Sequence, residues 1–284
     1  MPDPLVWLNG KLTPTDRPCL LPTDRGMLYG DGLFETIRIY QRRLFLLDAH
    51  FQRLAAAALQ LRLSVPPFER VRDGAHQLIA ANGRDDGFLR MTLTRGPTSG
   101  LDSTLEGSPT LLLTTGPLRP NSNQPWRLVT VSIRREANAL LSGIKSLNFL
   151  PNILARFEVK DQGADEGLMV NTQGAVAEGT ISNLFWIAGT TLFTPSLACG
   201  VLPGITRAVT LNLAQEIGMT VQEGVFFPDE LARAEGVFLT NALIEITPVS
   251  LFDGKPTRDT GLPAIDRLKT AYREKVSREI GITL

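Results

Sequence analysis

Residues 116–125, GPLRPNSNQP, gather three prolines, a glycine and several small polar side chains into one run that neither a strand nor a helix can cross. On both sides the chain alternates between stretches of period two and stretches of helical period. Each side is long enough to close its own core. The pattern predicts two α+β domains: a smaller one over 1–117, a linker over 118–124, and a larger one over 125–284.

Before the break, LVWLNGKL reads as two strands joined at Asn9-Gly10, which supply the positive φ angles of a tight turn. FETIRIY places Phe34, Thr36, Arg38 and Tyr40 on one face, with Ile37 and Ile39 on the other. A helix should start at Asp48 as N-cap and bury Phe51, Leu54, Ala55, Ala58 and Leu59. FLRMTLTRG and PTLLLTTGPL read as two further strands. After the break come a strand WRLVTVSI, a helix over 147–162, and a meander from Glu166 to Pro195. A further helix, GITRAVTLNLAQEIG, turns Val209, Leu213 and Ile217 to one side and stops at Gly218.

Several functions are disfavoured. Twenty-nine basic residues balance twenty-nine acidic ones, so no nucleic-acid partner is expected. No apolar run reaches the roughly 18 residues of a membrane span. Cys19 and Cys199 match no metal motif and suit a reducing, cytoplasmic compartment. No metal is expected, and His50 and His76 read as structural or surface residues. GDGLFE lacks the third glycine of a dinucleotide loop.

Lys145 stands apart. The chain has six lysines, and this one lies in LLSGIKSLNFLPN among Leu140, Leu141, Ile144, Leu147, Phe149 and Leu150. It either snorkels to water or is kept inside as a reactive amine, since burial disfavours the ammonium form. CGVLPGITRAV runs a turn into a helix start, where the N–H groups of Gly204, Ile205 and Thr206 either await a phosphate or form an ordinary N-cap. Arg53 is either a second phosphate ligand or a solvated helix arginine. Glu178, in GAVAEGTISNLFW, is either a satisfied turn carboxylate or the partner of a pyridine nitrogen.

Six blocks in order, DRGMLYGDGLFETIR, DAHFQRL, IKSLNFLPNILAR, GAVAEGTISNLFW, TPSLACGVLPGITR and FLTNALIEITPV, resemble the signatures of fold-type IV pyridoxal-phosphate enzymes, the class-IV aminotransferase family. The resemblance covers residues from about 5 to 250. It implies a two-domain, D-amino-acid-aminotransferase-like α+β fold with the active site between the domains, pyridoxal 5'-phosphate as cofactor, a small-molecule amine substrate and a homodimer. By the same resemblance Lys145, in the larger domain, carries the cofactor and moves the substrate proton. Arg53, Ile205, Thr206 and Asn241 hold the phosphate, Glu178 meets the ring nitrogen, and Leu202 packs on the ring. Phe34, Arg95 and Asn241 are expected to face substrate.

Three activities share this scaffold. Branched-chain aminotransferases usually carry glycine where Thr36 stands, and D-amino-acid aminotransferases a tyrosine where Phe34 stands. Lyases acting on 4-amino-4-deoxychorismate typically have threonine at Thr36, and TNALIEITPV resembles their block. RGPTSGLDST lacks the Gly-Arg-Gly-Tyr run of many such lyases. The resemblance implies the lyase activity, which yields 4-aminobenzoate and pyruvate for folate synthesis, with Thr36 assisting proton return. The alternative is an aminotransferase acting on D- or branched-chain amino acids.

Overall fold

The computed structural model describes residues 4–17, 20–98, 108–118, 124–137, 139–231, 233–258 and 261–283. Most of the expected linker, and Cys19, fall outside the described residues. By contacts the chain forms two compact units: Met1–Pro120 with Ile144–Asn148, and Asn121–Gly143 with Phe149–Leu284. The Lys145 segment therefore groups with the first unit, where the sequence placed it in the second domain.

The first unit holds β1 (Leu5–Leu8), β2 (Lys11–Pro14), α1 (Arg25–Tyr29), β3 (Gly32–Tyr40), β4 (Arg43–Leu44), α2 (Leu47–Gln60), α3 (Phe68–Asn82), β5 (Gly87–Thr94) and β6 (Thr110–Gly116). Asn9 (φ 48°) and Gly10 (φ 106°) make the first hairpin turn, as their sequence predicts. The six strands form an antiparallel sheet in the order β2-β1-β6-β5-β3-β4. Period two sorts its side chains. Leu33, Ile37, Ile39, Leu89, Met91, Leu93, Leu111 and Leu113 face α2 and α3 and build the core with Leu54, Ala58, Val71, Ala75 and Leu78. The opposite face carries Phe34, Thr36, Arg90, Thr92 and Thr114.

Asp48 does not cap α2. The helix begins one residue earlier, after Leu46 in the left-handed region (φ 54°), and Asp48 sits in its first turn, where a negative charge suits the helix dipole. Because β4 spans only two residues, the start of β3 keeps an open edge. Residues 144–148 fill it: Phe34 N–H donates to Lys145 O (3.0 Å) and Leu147 N–H to Gly32 O (2.9 Å), with Leu33 and Ser146 paired.

The second unit holds β7 (Trp126–Thr130), α4 (Leu150–Asp161), β8 (Glu166–Val170), β9 (Val176–Gly179), β10 (Asn183–Ala188), β11 (Thr191–Pro195), α5 (Ile205–Glu216), β12 (Thr220–Gly224), α6 (Pro228–Leu231), β13 (Gly236–Asn241), β14 (Glu245–Phe252), β15 (Lys255–Pro256) and α7 (Pro263–Ile280). The strand order is β12-β11-β10-β13-β14-β7-β8-β9, with β15 on β14. Parallel pairs β7/β8 and β11/β12 are joined through α4 and α5, as parallel neighbours require a crossover. Trp186, Phe193 and Phe226 stack and cross edge-on at the core. The inner side of α5 is Thr206, Arg207, Thr210, Leu213 and Ala214 rather than the expected Val209, Leu213 and Ile217. The helix starting near Lys145 begins at Leu150, three residues later than expected.

Candidate active site

The site residues of the first unit gather around Phe34. The Lys145 Nζ lies 4.5 Å from the Phe34 ring centroid, and the Arg90 guanidinium carbon lies 4.0 Å from the same centroid. Each is within cation–π range, so one aromatic ring links two positive charges. The apolar neighbours that single out Lys145 in the sequence are not all buried. Ile144 joins the core, but Leu140, Leu141 and Leu150 are exposed. The half-buried Lys145 owes its setting to β3 instead.

Thr36 is the one half-buried position in the otherwise buried nine residues of β3. It pairs across the sheet with Arg90, which in turn pairs with Thr114. Burial alone pushes the Arg90 guanidinium below its ordinary range. Among the described residues the Arg90 guanidinium has no hydrogen-bond or ion-pair partner. A half-buried, unneutralised guanidinium is a ready site for a carboxylate.

Arg95, expected to meet substrate, is committed elsewhere. It forks onto Asp31 (2.8 and 3.1 Å) and donates to the carbonyls of Arg62 (2.8 Å) and Leu61 (2.9 Å). Four of its five N–H donors are engaged in holding loops.

Arg53, on α2, forks onto Glu35 through Nε (2.8 Å) and Nη2 (2.6 Å). His50 completes the group with Nδ1 2.7 Å from the same carboxylate. Burial pulls the Glu35 carboxyl upward, but Arg53 and His50 more than offset this and leave it at about 2. Burial is also the main cause that lowers His50, against Glu35 and with the charges of Arg53 and Lys145, so the ring stays neutral. The Glu35 shift favours the folded state at neutral pH, whereas the His50 shift costs stability only in acid. Below the usual histidine value of 6.5 the unfolded chain takes up a proton that His50 refuses, and stability falls. It falls again between 4.5 and about 2, as the unfolded carboxylate protonates before Glu35 does. Denaturant midpoints across this range should show the lower step, and Glu35→Gln should flatten it.

The second unit gathers its site residues around Glu178. One oxygen meets Arg135 Nη2 (2.8 Å); the other accepts from Asn183 Nδ2 (3.1 Å) and from the Leu202 N–H (3.0 Å). Arg135 is itself braced by the carbonyls of Gly200 and Ser142. Asn183 also donates to Leu202 O (3.0 Å), which ties Leu202 beside Glu178. Just beyond, α5 opens at Gly204 with no side-chain cap, and its first ladder bond is Ala208 N–H to Gly204 O. The N–H groups of Ile205, Thr206 and Arg207 find no acceptor among the described residues. Gly204 is required here: a Cβ would stand 1.9 Å from Asn183 Oδ1.

The Asn241 side chain is engaged in its own turn. Its Oδ1 accepts from the N–H groups of Leu243 (2.8 Å) and Ile244 (2.9 Å), and its Nδ2 donates to Ile181 O (3.1 Å). It closes a turn, as asparagine does with the backbone two residues on. Sequence reasoning missed Glu35, Arg90, Arg135 and Asn183.

These features fit a phosphorylated pyridoxal. Open amides at an uncapped helix start suit a phosphate. A carboxylate held by three donors suits a ring nitrogen, and a lysine amine suits an aldehyde. Among the described residues no group of three or more His, Cys, Asp or Glu is placed to hold a metal.

Two α+β units, each carrying some of these groups, suit an enzyme that works through pyridoxal phosphate. Amino-transferase class IV matches residues 32–252, and the chain belongs to that family of pyridoxal-phosphate-dependent enzymes. A putative branched-chain-amino-acid aminotransferase of Methanocaldococcus jannaschii is 35% identical over 95% of each chain. The aminodeoxychorismate lyase of Bacillus subtilis is 32% identical, covering 97% of this chain and 96% of the relative. The D-alanine aminotransferase of Bacillus licheniformis is 30% identical, covering 98% and 99%. Among solved structures, the branched-chain aminotransferase of Escherichia coli superposes with a TM-score of 0.92 at 26% identity, over 98% of this chain and 96% of that one. The 4-amino-4-deoxychorismate lyase of Pseudomonas aeruginosa gives 0.86 at 32% identity, over 96% and 99%.

Proposed function

We propose that the protein is a 4-amino-4-deoxychorismate lyase, eliminating pyruvate to leave 4-aminobenzoate for folate synthesis. The observation that carries this reading is Thr36, the single half-open position of β3, set between Phe34, which touches the Lys145 amine, and Arg90 across the sheet. A hydroxyl at that point serves a reaction with a departing oxygen. The identity to the Bacillus subtilis lyase supports the reading. The cofactor, bound through its aldehyde, supplies an electron sink for the charge left when the substrate's C–H proton departs. Lys145 holds the cofactor, takes that proton when displaced by the substrate amine, and returns to release product. Arg135, Asn183 and the Leu202 N–H hold Glu178 towards the ring nitrogen. Arg90 receives a substrate carboxylate, the task the sequence offered to Arg95. Thr36 delivers a proton to the leaving enolpyruvyl group.

Pyruvate release from 4-amino-4-deoxychorismate, run beside a transamination panel of D-alanine and branched-chain amino acids, tests this directly. A second reading, an aminotransferase for D- or branched-chain amino acids, draws on the Methanocaldococcus and Bacillus licheniformis relatives. Brisk transamination with no pyruvate release would replace the lyase by it.

Arg53, Ile205 and Thr206 are proposed to hold the phosphate. Charge-assisted hydrogen bonds contribute about 1.5–3 kcal/mol. Arg53→Ala should therefore weaken pyridoxal 5'-phosphate binding by roughly tenfold or more, read by titrating the apoenzyme.

We also propose a cytoplasmic homodimer. Leu150, Ile153, Leu154 and Phe157 follow one another at helical spacing along α4, and all are exposed in the single chain. Light scattering should give twice the chain mass, and Phe157→Glu should shift the population towards monomer. Among the described residues no helix is long and apolar enough to cross a membrane.

A further inference from the structure

Glu35 is a carboxylate where the strand pattern calls for a hydrocarbon. Alternation along β3 puts it on the core-facing side with Leu33, Ile37 and Ile39, and it is 1% exposed. A buried charge is tolerated only when paired and hydrogen-bonded, and two apolar residues of like volume serve stability as well as an ion pair does. Three ionisable groups nonetheless meet here. His50 and Arg53 lie three residues apart on α2, so both reach Glu35 from one side of the helix. The fork occupies the Nε and Nη2 edge of Arg53 and uses both carboxylate oxygens. His50 then binds the oxygen that Nη2 also uses, which stops the carboxylate from rotating. A flexible guanidinium is thereby held in one orientation before any ligand arrives, and a preorganised donor loses less entropy on binding.

We propose that Glu35 and His50 are positioning residues that aim Arg53 at the phosphate of pyridoxal 5'-phosphate. This rests on the reading that Arg53 holds that phosphate. The device acts on the phosphate alone, so it separates two ligands that differ only there: pyridoxal 5'-phosphate and pyridoxal.

Apoenzyme titrated with each ligand tests it. Glu35→Gln should weaken pyridoxal 5'-phosphate about tenfold and leave pyridoxal unchanged. His50→Leu should act in the same direction, and His50→Asn, which places an amide N–H where Nδ1–H stood, should restore most of the preference. If Glu35→Gln does not fold, the two His50 variants carry the test. A loss shared equally by both ligands, or no loss at all, would show that the group only supports the core, and the inference would fall. Arg53→Ala is the control for the underlying reading. If that variant keeps the wild-type preference for the phosphorylated ligand, Arg53 does not hold the phosphate. If it loses the preference while the Glu35 and His50 variants keep it, the positioning role alone is refuted.

Discussion

Lys145→Ala is expected to abolish turnover, by more than about 10⁴-fold, and to leave the cofactor bound without a covalent link. Two functions are lost together. In the proposed role the amine anchors the aldehyde and, once displaced by substrate, carries the proton, a task worth about 10²–10⁴ by itself. The geometry favours this lysine: its carbonyl is bonded to β3, and its ammonium is fixed 4.5 Å from the Phe34 ring. Lys160 sits exposed in the last turn of α4, where a cation suits the helix dipole and nothing more. Borohydride reduction followed by peptide mapping should place the label on Lys145. A label on Lys160 would refute the assignment, whatever the activity of the variant.

Thr36→Val is expected to slow pyruvate release by about 10²–10⁴-fold while cofactor affinity stays unchanged. Valine keeps the shape and suits a strand at least as well as threonine, so the substitution removes one hydroxyl and little else. Its neighbours make the position informative. Phe34 comes two residues earlier on the same face, and Arg90 lies directly opposite. A transamination moves protons only between the substrate carbon and the cofactor, with no leaving group to protonate. Full lyase turnover in Thr36→Val would remove the proton-delivery role. Wild-type protein that transaminates without releasing pyruvate would remove the lyase assignment itself.

Much of the frame is legible because period two survives in the strands that build it. FETIRIY, FLRMTLTRG and PTLLLTTGPL are found as β3, β5 and β6, and their alternation separates core face from site face. Four helices among the described residues, α1, α3, α6 and α7, are not assigned from sequence, the first and third of them only five and four residues long. The inner side of α3 includes Gly74 and Ala75, which add little apolar signal between Arg72, Asp73 and His76. The stripe of α7 (Ile265, Leu268, Tyr272, Val276 and Ile280) is readable at helical spacing but lies beyond the blocks that drew notice.

The site is legible where a residue type is rare or a turn is specific: Lys145 among six lysines, and Gly204 ahead of an uncapped helix. It is illegible where partners meet from distant stretches. No short window of sequence contains both Arg135 and Glu178, and nothing local distinguishes Arg135 from the adjacent Arg134. Arg95 and Asn241 carry contacts that their sequence surroundings do not announce. Each has the right chemistry for a ligand, and nearby backbone carbonyls, amides and Asp31 engage it. Glu35 could have been found, because a carboxylate on the core side of a strand demands a cation, and His50 and Arg53 stand on the next helix.

The chain crosses from one compact unit to the other three times, because residues 144–148 return to the open edge of β3. Cutting the chain at the apparent boundary therefore strands Lys145, the lysine proposed to react. A fragment ending at Pro120 keeps β3, Phe34 and Arg90 but has no Lys145; a fragment beginning at Asn121 keeps Lys145 but lacks the strand that positions it. Neither half can be a minimal catalyst. Coexpressed halves should recover activity only if the five-residue segment threads back onto its strand, so fragment complementation would report on that pairing rather than on domain folding.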